Sequence, residues 1–177
     1  MNSTVADTLV IRPMQASDLE QVLVIDQASF TLPWPASAYR FEMYENPNSQ
    51  LWVAETQSAD GSSLVIGMSV VWLILEEAHI ATIAVRPQYR GQGIAQYLMK
   101  ASLAGAIRQG CTQATLEVRE GNLPAQRLYS RFGFQLAGIR PRYYRDNNED
   151  AWIMTATNLD AGYLAWLEGE GWRAPAA

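Results

Sequence analysis

Residues 89–100 read YRGQGIAQYLMK, an arginine and two glycines set directly before an apolar, helix-forming run. Two physical readings fit. A tight strand-to-helix turn needs glycine, which takes positive φ without steric cost. Alternatively, the glycines bare backbone N–H groups at a helix N-terminus, where unpaired amides and the macrodipole hold a phosphate. A glycine pair alone is a weak signal, so its surroundings decide.

Just before it, HIATIAV (79–85) reads as a strand, followed by Arg86-Pro87. Just after it, a helix runs to about Gln109, with Ile94, Leu98, Leu103 and Ile107 facing inward and Gly110 ending it. ATLEV (114–118) is the next strand. Such a strand–turn–helix–strand unit puts a helix N-terminus at the carboxyl end of a parallel strand, where open sheets bind ligands. Gly91, Gln92, Gly93, Ile94 and Ala95 then supply the amides, and Arg90 adds charge.

Farther out, TLVIRPM (8–14) reads as a first strand. Ser17-Asp18-Leu19-Glu20 is a capping box opening a helix with Leu19, Val22, Leu23 and Ala28 on its buried side. Phe30 to Pro35 breaks that helix, and a second runs from Ala36 to Glu45, ahead of Pro47. LWVAET (51–56) and LVIGMSVVWLI (64–74) are strands. SADGSS separates these two, and Glu76-Glu77 separates the second from HIATIAV, so all three are expected to be antiparallel. PAQRLYSRF (124–132) is a short helix between Pro124 and Gly133, and FQLAGIR (134–140) and DAWIMTAT (150–157) complete the sheet. The order β-α-α-β-β-β-α-β-α-β-β predicts one α/β domain over 8–157, a mixed, mostly antiparallel central sheet flanked by helices. Residues 158–177 are an extension of unknown role, with room for one more short helix.

Composition narrows the function classes. The chain has 177 residues, 49% hydrophobic. Its longest apolar run, residues 64–75, falls short of the roughly 20 residues a membrane span needs. The N-terminus MNSTVADTL lacks the basic-then-apolar form of a signal peptide, and the single cysteine, Cys111, excludes an internal disulfide framework. The expectation is a cytoplasmic protein without a membrane partner. A net charge of −5 argues against a direct nucleic-acid partner. Charge is uneven, however. Residues 86–145 hold ten Lys/Arg against two acids, a net +8, and the rest of the chain holds three against sixteen, a net −13. Either a local anionic ligand or solvent-facing arginines accounts for that.

Within ATLEV, Ala114, Leu116 and Val118 share one face, leaving Thr115 and Glu117 on the other. A carboxylate in a central strand is costly unless it is used or paired, for instance with Arg119 or Arg127. We read it as used. Asn122 follows in a loop, and Tyr129 on the next helix is by itself as compatible with core as with chemistry. His79 could assist as a second base, although an edge-of-strand histidine is more often structural. Cys111 reads as a small buried apolar residue rather than an acyl carrier. Trp34 and Phe30 either shape a peptide groove or pack a helix joint.

Taken together, TIAVRPQYRGQGIA, LEVRE and the N-x-x-A-x-x-L-Y-x-x-x-G-F pattern of residues 122–134 resemble the GCN5-related N-acetyltransferase (GNAT) superfamily. The segment Arg90-Gly-Gln-Gly93-Ile-Ala95 is similar to its acyl-CoA pyrophosphate loop, R-x-x-G-x-G/A. Phe30…Pro33-Trp34, Glu77-Ala78, Leu116-Glu117-Val118-Arg119 and Arg140…Tyr143-Tyr144…Glu149-Asp150-Ala151…Met154 resemble the RimI-type branch, which acetylates the N-terminal alanine of a small-subunit ribosomal protein. The resemblance implies acetyl-CoA as co-substrate, no metal, and a protein N-terminus as partner. It implies that Ile83, Ala84 and Val85 pair with the pantetheine arm, that Arg90 to Ala95 hold the pyrophosphate, and that Asn122 bonds the pantetheine. It also implies Glu117 as general base, Tyr129 as general acid, and Tyr143 and Tyr144 as peptide contacts. Ala95 stands where glycine is commoner, and Pro141-Arg142 before the paired tyrosines bears on peptide preference. A lysine, polyamine or other small-amine acceptor, or a silent acyl-CoA sensor, remain the competing readings.

Overall fold

The computed structural model describes residues 9–57, 60–169 and 172–173. Strands β1 (Val10–Pro13), β2 (Ser49–Gln57), β3 (Ser63–Ile74), β4 (Glu77–Val85), β5 (Gln113–Arg119), β6 (Gln135–Tyr144) and β7 (Glu149–Ala156) form one sheet in the order β1-β2-β3-β4-β5-β7-β6. The helices are α1 (Leu19–Ser29), α2 (Ala36–Tyr44), α3 (Ile94–Arg108), α4 (Leu123–Arg131) and α5 (Ala161–Glu168). The element order is the expected one, and α5 fills the room left in the extension. β1–β2, β5–β7 and β6–β7 are antiparallel, and β4–β5 is parallel. The two-residue link Leu75-Glu76 makes β3–β4 a hairpin, with Glu77 already in β4 rather than in the turn. Thr8 and most of MNSTVADTL lie outside the described residues.

The chain divides into two compact units, Met1–Val71 with Thr82–Ser102, and Trp72–Ala81 with Leu103–Ala177. In the first, Val22 and Ile25 of α1, Tyr39 of α2, and Val53, Ala54, Val65 and Ile66 of the strands are fully buried. Ile94 and Leu98 of α3 pack into a cluster with Ala54, Ile66 and Val85. Gly67 permits this: a Cβ there would lie 2.9 Å from Leu98 Cδ1 and 3.2 Å from the Ala84 carbonyl oxygen.

Two expectations for α1 need correction. Ala28 is exposed and Leu23 half-buried, because the buried stripe runs through Leu19, Val22, Ile25 and Asp26 instead. The helix entry is also shifted. A 3₁₀ turn at Ala16–Asp18 precedes α1, and the Asp18 carboxylate, not that of Glu20, reaches back, to the Gln15 N–H at 2.7 Å. Arg12 on β1 fixes it there, 2.7 Å from Asp18 and also paired with Glu55.

In the second unit, Leu116, Val118, Phe132, Phe134, Ala151 and Met154 are buried. Leu159, Leu167 and Trp172 of the extension join them, and Tyr163 donates to the Phe132 carbonyl at 2.7 Å. β6 runs four residues beyond the expected end, through a register shift between Arg140 and Tyr144 where Arg142 takes φ +52°. The Asp150 carboxylate accepts the Arg142 N–H at 2.7 Å and holds that bulge.

Candidate active site

The glycine loop belongs to the first unit. Gly91 and Gly93 take φ +76° and +79°, a region other L-residues enter only at a cost. A Cβ at either would meet nothing within 4 Å, so glycine is required there by backbone conformation and the space beside it is open. α3 begins at Ile94, and the Gly93 carbonyl accepts the Gln96 N–H at 2.9 Å. The amides ahead of Gln96 precede the intrahelical ladder and lie at the positive end of a 15-residue dipole. The loop is tied down by its arginines. Arg86 Nε donates to the Val65 carbonyl at 2.7 Å, and Arg90 donates to the Val85 carbonyl and Ser29 Oγ, each at 3.0 Å. Arg90 thus braces the loop as well as charging it. Upstream, the β4–β5 register covers Glu77–His79 against Gln113–Thr115, short of Ile83, Ala84 and Val85. Trp34 lies on the α1–α2 link, where its backbone N–H donates to the buried Asp26 and its ring sits 5.4 Å from that of Tyr39. That is helix-joint packing.

The second unit gathers Glu117, His79, Arg140, Trp72 and the paired tyrosines. Burial alternates along β5 as expected, with Ala114, Leu116 and Val118 in the core and Glu117 on the other face. The Glu117 partners are neither Arg119 nor Arg127. His79 Nε2 lies 3.2 Å from its Oε2 and Arg140 lies 3.3 Å from its Oε1. The His79 hydrogen bond, with the charges of His79 and Arg140, holds the Glu117 carboxyl below the usual carboxylate range despite burial. Trp72 stacks on His79, ring centroids 5.4 Å apart and planes 14° from parallel. Arg119 instead pairs with Asp146 at 2.8 Å and Glu149 at 3.1 Å, and lies 3.9 Å over the Tyr144 ring. Tyr143 meets Tyr144 edge-on at 5.2 Å, and burial pushes the Tyr144 phenol up to about 12.

Tyr129 is buried 6.1 Å from Phe134, and burial raises its phenol well above the ordinary tyrosine range, so it is protonated at neutral pH. Asn122 caps α4, its Oδ1 accepting the Ala125 N–H at 3.2 Å. Its loop is pinned by Glu149, which accepts the Gly121 N–H at 2.7 Å. Of the expected second-unit residues, Glu117, Tyr143 and Tyr144 are linked through arginines, Tyr129 on α4 feels Tyr144, and Asn122 is the N-cap of that helix. Trp72 and the pairing role of Arg140 were missed. Strand alternation put Glu117 on the open face, but only the β4–β5 register, which sets His79 opposite Thr115, could have named its partner.

A mixed sheet with one parallel β4–β5 step, a glycine loop opening α3, and a charged cluster on β5 describe an acyl-transfer scaffold. The acetyltransferase (GNAT) family model matches residues 19–134, and the chain belongs to that family. It is 38% identical over 147 residues to a Bacillus subtilis (strain 168) protein described as a candidate [ribosomal protein bS18]-alanine N-acetyltransferase, covering 83% of this chain and 94% of that one. It is 31% identical to the [ribosomal protein bS18]-alanine N-acetyltransferase of Escherichia coli (strain K12), covering 81% and 94%. A crystal structure of the ribosomal-protein-S18-alanine N-acetyltransferase from Escherichia coli superposes with TM-score 0.75 at 28% identity, covering 87% of this chain and 96% of that one.

Proposed function

We propose that the protein moves an acetyl group from acetyl-CoA to the α-amine of a protein N-terminus, an alanine of a small-subunit ribosomal protein. The observation carrying this is the state of Glu117, an anion engaged on both oxygens beside the cation of Arg140. An amine must be neutral to attack a thioester. A free α-amine has a pKa of about 7.7–8.0 and lysine about 10.4, so neutralising lysine costs roughly 3–4 kcal/mol more. A weakly basic site with a guanidinium beside it suits the acceptor that sheds its proton readily. The names of the relatives support the same acceptor, and a ribosomal substrate implies the cytoplasm.

In this reading, the amides of Gly91 to Ala95, with Arg90, take the pyrophosphate, and Ile83 to Val85 and Asn122 take the pantetheine arm. A strand N–H polarises the thioester carbonyl. Glu117 supplies the negative charge that draws the proton from the amine, Tyr129 returns a proton to the departing thiolate, and Tyr143 and Tyr144 grip the peptide. The chemistry calls for no metal and no acyl-enzyme.

The test uses acetyl-CoA and two matched peptides read by mass spectrometry. One has a free N-terminal alanine and no lysine; the other has a blocked N-terminus and one lysine. Acetylation of the first alone is expected. Acetylation of the second alone moves the assignment to lysine, and reaction of neither while acetyl-CoA binds points to a small amine or a sensor.

A further inference from the structure

His79 is the sole histidine of the chain, and the roles above leave it without a task. Its Nε2–H points to Glu117 Oε2 at 3.2 Å, which selects the tautomer whose lone pair sits on Nδ1. Trp72 fixes the ring plane, and its π-face favours the imidazolium once a proton arrives. The side chain is 19% exposed, within reach of an incoming amine or a single water. Glu117 is less able to accept a proton, because both its oxygens are engaged. A carboxylate that accepts an imidazole N–H and lies beside a guanidinium is stabilised as the anion. A histidine backed by that same carboxylate keeps its second ring nitrogen as a site for a proton.

We propose that His79 takes the proton from the acceptor amine, with Glu117 behind it as the carboxylate that orients the ring and carries the countercharge. This rests on the acetyl-transfer reading. The amine nitrogen bonds to the thioester carbonyl carbon and the carbon–sulfur bond breaks. The amine proton goes to Nδ1 of His79, and the thiolate takes the Tyr129 proton. Exchange with solvent resets both groups. His79 faces Glu117 on β5 and shares its strand face with Glu77; Arg140 and Tyr144 on β6 act on Glu117 behind it, and β3 contributes no ionisable group.

The test is the pH profile of kcat/KM on the free-alanine peptide, with acetyl-CoA affinity measured alongside. His79→Gln is expected to lower kcat by about 100-fold or more with acetyl-CoA affinity unchanged. The acidic limb should move to lower pH, because the residual base is a carboxylate, about 4.3 against about 6.5 for imidazole in free peptides. If Glu117 alone were the base, losing the His79 hydrogen bond would let its pKa rise, so the limb would move up and turnover would hold. Adding Glu117→Gln to His79→Gln should then remove the residual carboxylate limb and the turnover it carries. Should His79→Gln fold poorly, His79→Ala with added imidazole is the second reading. Restored turnover in the folded fraction supports the assignment, and its absence overturns it. Turnover within threefold of wild type in His79→Gln, or an upward-moving limb, also overturns it. A wild type that acetylates no amine would defeat both this inference and the acetyl-transfer reading, whereas an active wild type with an active His79→Gln defeats this inference alone.

Discussion

Gly93 offers the sharpest test of the phosphate loop, because its geometry separates strain from charge. Its φ of +79° disfavours any other residue, and an added Cβ meets nothing within 4 Å. Gly93→Ala therefore carries a backbone penalty of about 1–2 kcal/mol and no clash. For a chain of this size, that lowers Tm by roughly 2–8 °C. Gly93→Asp adds a negative charge at the same point. A carboxylate about 5 Å from a phosphate charge repels it by roughly 1 kcal/mol at bulk-water dielectric and about 3 kcal/mol at an effective dielectric of 20. The Asp variant should thus bind acetyl-CoA on the order of 5- to 150-fold more weakly than the Ala variant. Raising salt from 0.1 to 1 M should shrink the gap, as the screening length falls from about 10 to about 3 Å. Gly61 is the control, with φ +81° and equally open space, but on the β2–β3 turn. Gly61→Asp should lose similar stability and no affinity. Calorimetric titration with acetyl-CoA reads all three. Equal affinity of folded Gly93→Asp and Gly93→Ala would refute the loop as a pyrophosphate cradle and leave the glycines as turn residues only.

Two further outcomes follow from the second unit. Tyr129→Phe keeps the ring that packs on Phe134 and removes only the hydroxyl, so Tm should hold while kcat drops by about 100-fold or more; a kcat within threefold would remove Tyr129 as the proton donor. Trp172→Ala should cost about 3–5 kcal/mol, because the side chain is buried beside Phe132. A thermal melt displaced by less than about 2 °C would show that the extension does not hold the unit together.

Periodicity made most of the fold legible. Alternation in ATLEV and HIATIAV, and the spacing of Ile94, Leu98 and Leu103, are local properties, and the corresponding elements form where the sequence puts them. What eluded the sequence is decided by partners far along the chain. β7 enters the sheet between β5 and β6, although β6 precedes it in sequence. The capping box shifts because Arg12, on another strand, captures Asp18. The partners of Glu117 lie 38 residues before it and 23 after it, joined only by strand register. The candidate site divides in the same way. The glycine loop is contiguous and could be read directly, whereas the partners of Glu117 could not.

The carboxylate clusters at Asp18 and at Glu117 differ in the partner that holds each. Burial is the largest single effect on the Asp18 carboxyl and would raise it, but the Arg12 hydrogen bonds, the Gln15 N–H and the Arg12 charge together hold it below the usual range. Arg12 is shared with Glu55, and its own pKa is raised further by these partners. A guanidinium never gives up its proton in a protein, so that triad fixes charge and moves nothing. Glu117 is likewise held low, but its first partner is an imidazole with a second nitrogen. Replacing the Arg12 of one cluster by His79 in the other converts a static ion pair into a couple that can exchange a proton. On the proposed acetyl-transfer reading, that difference assigns the amine to the β5 cluster rather than to the Arg12 triad.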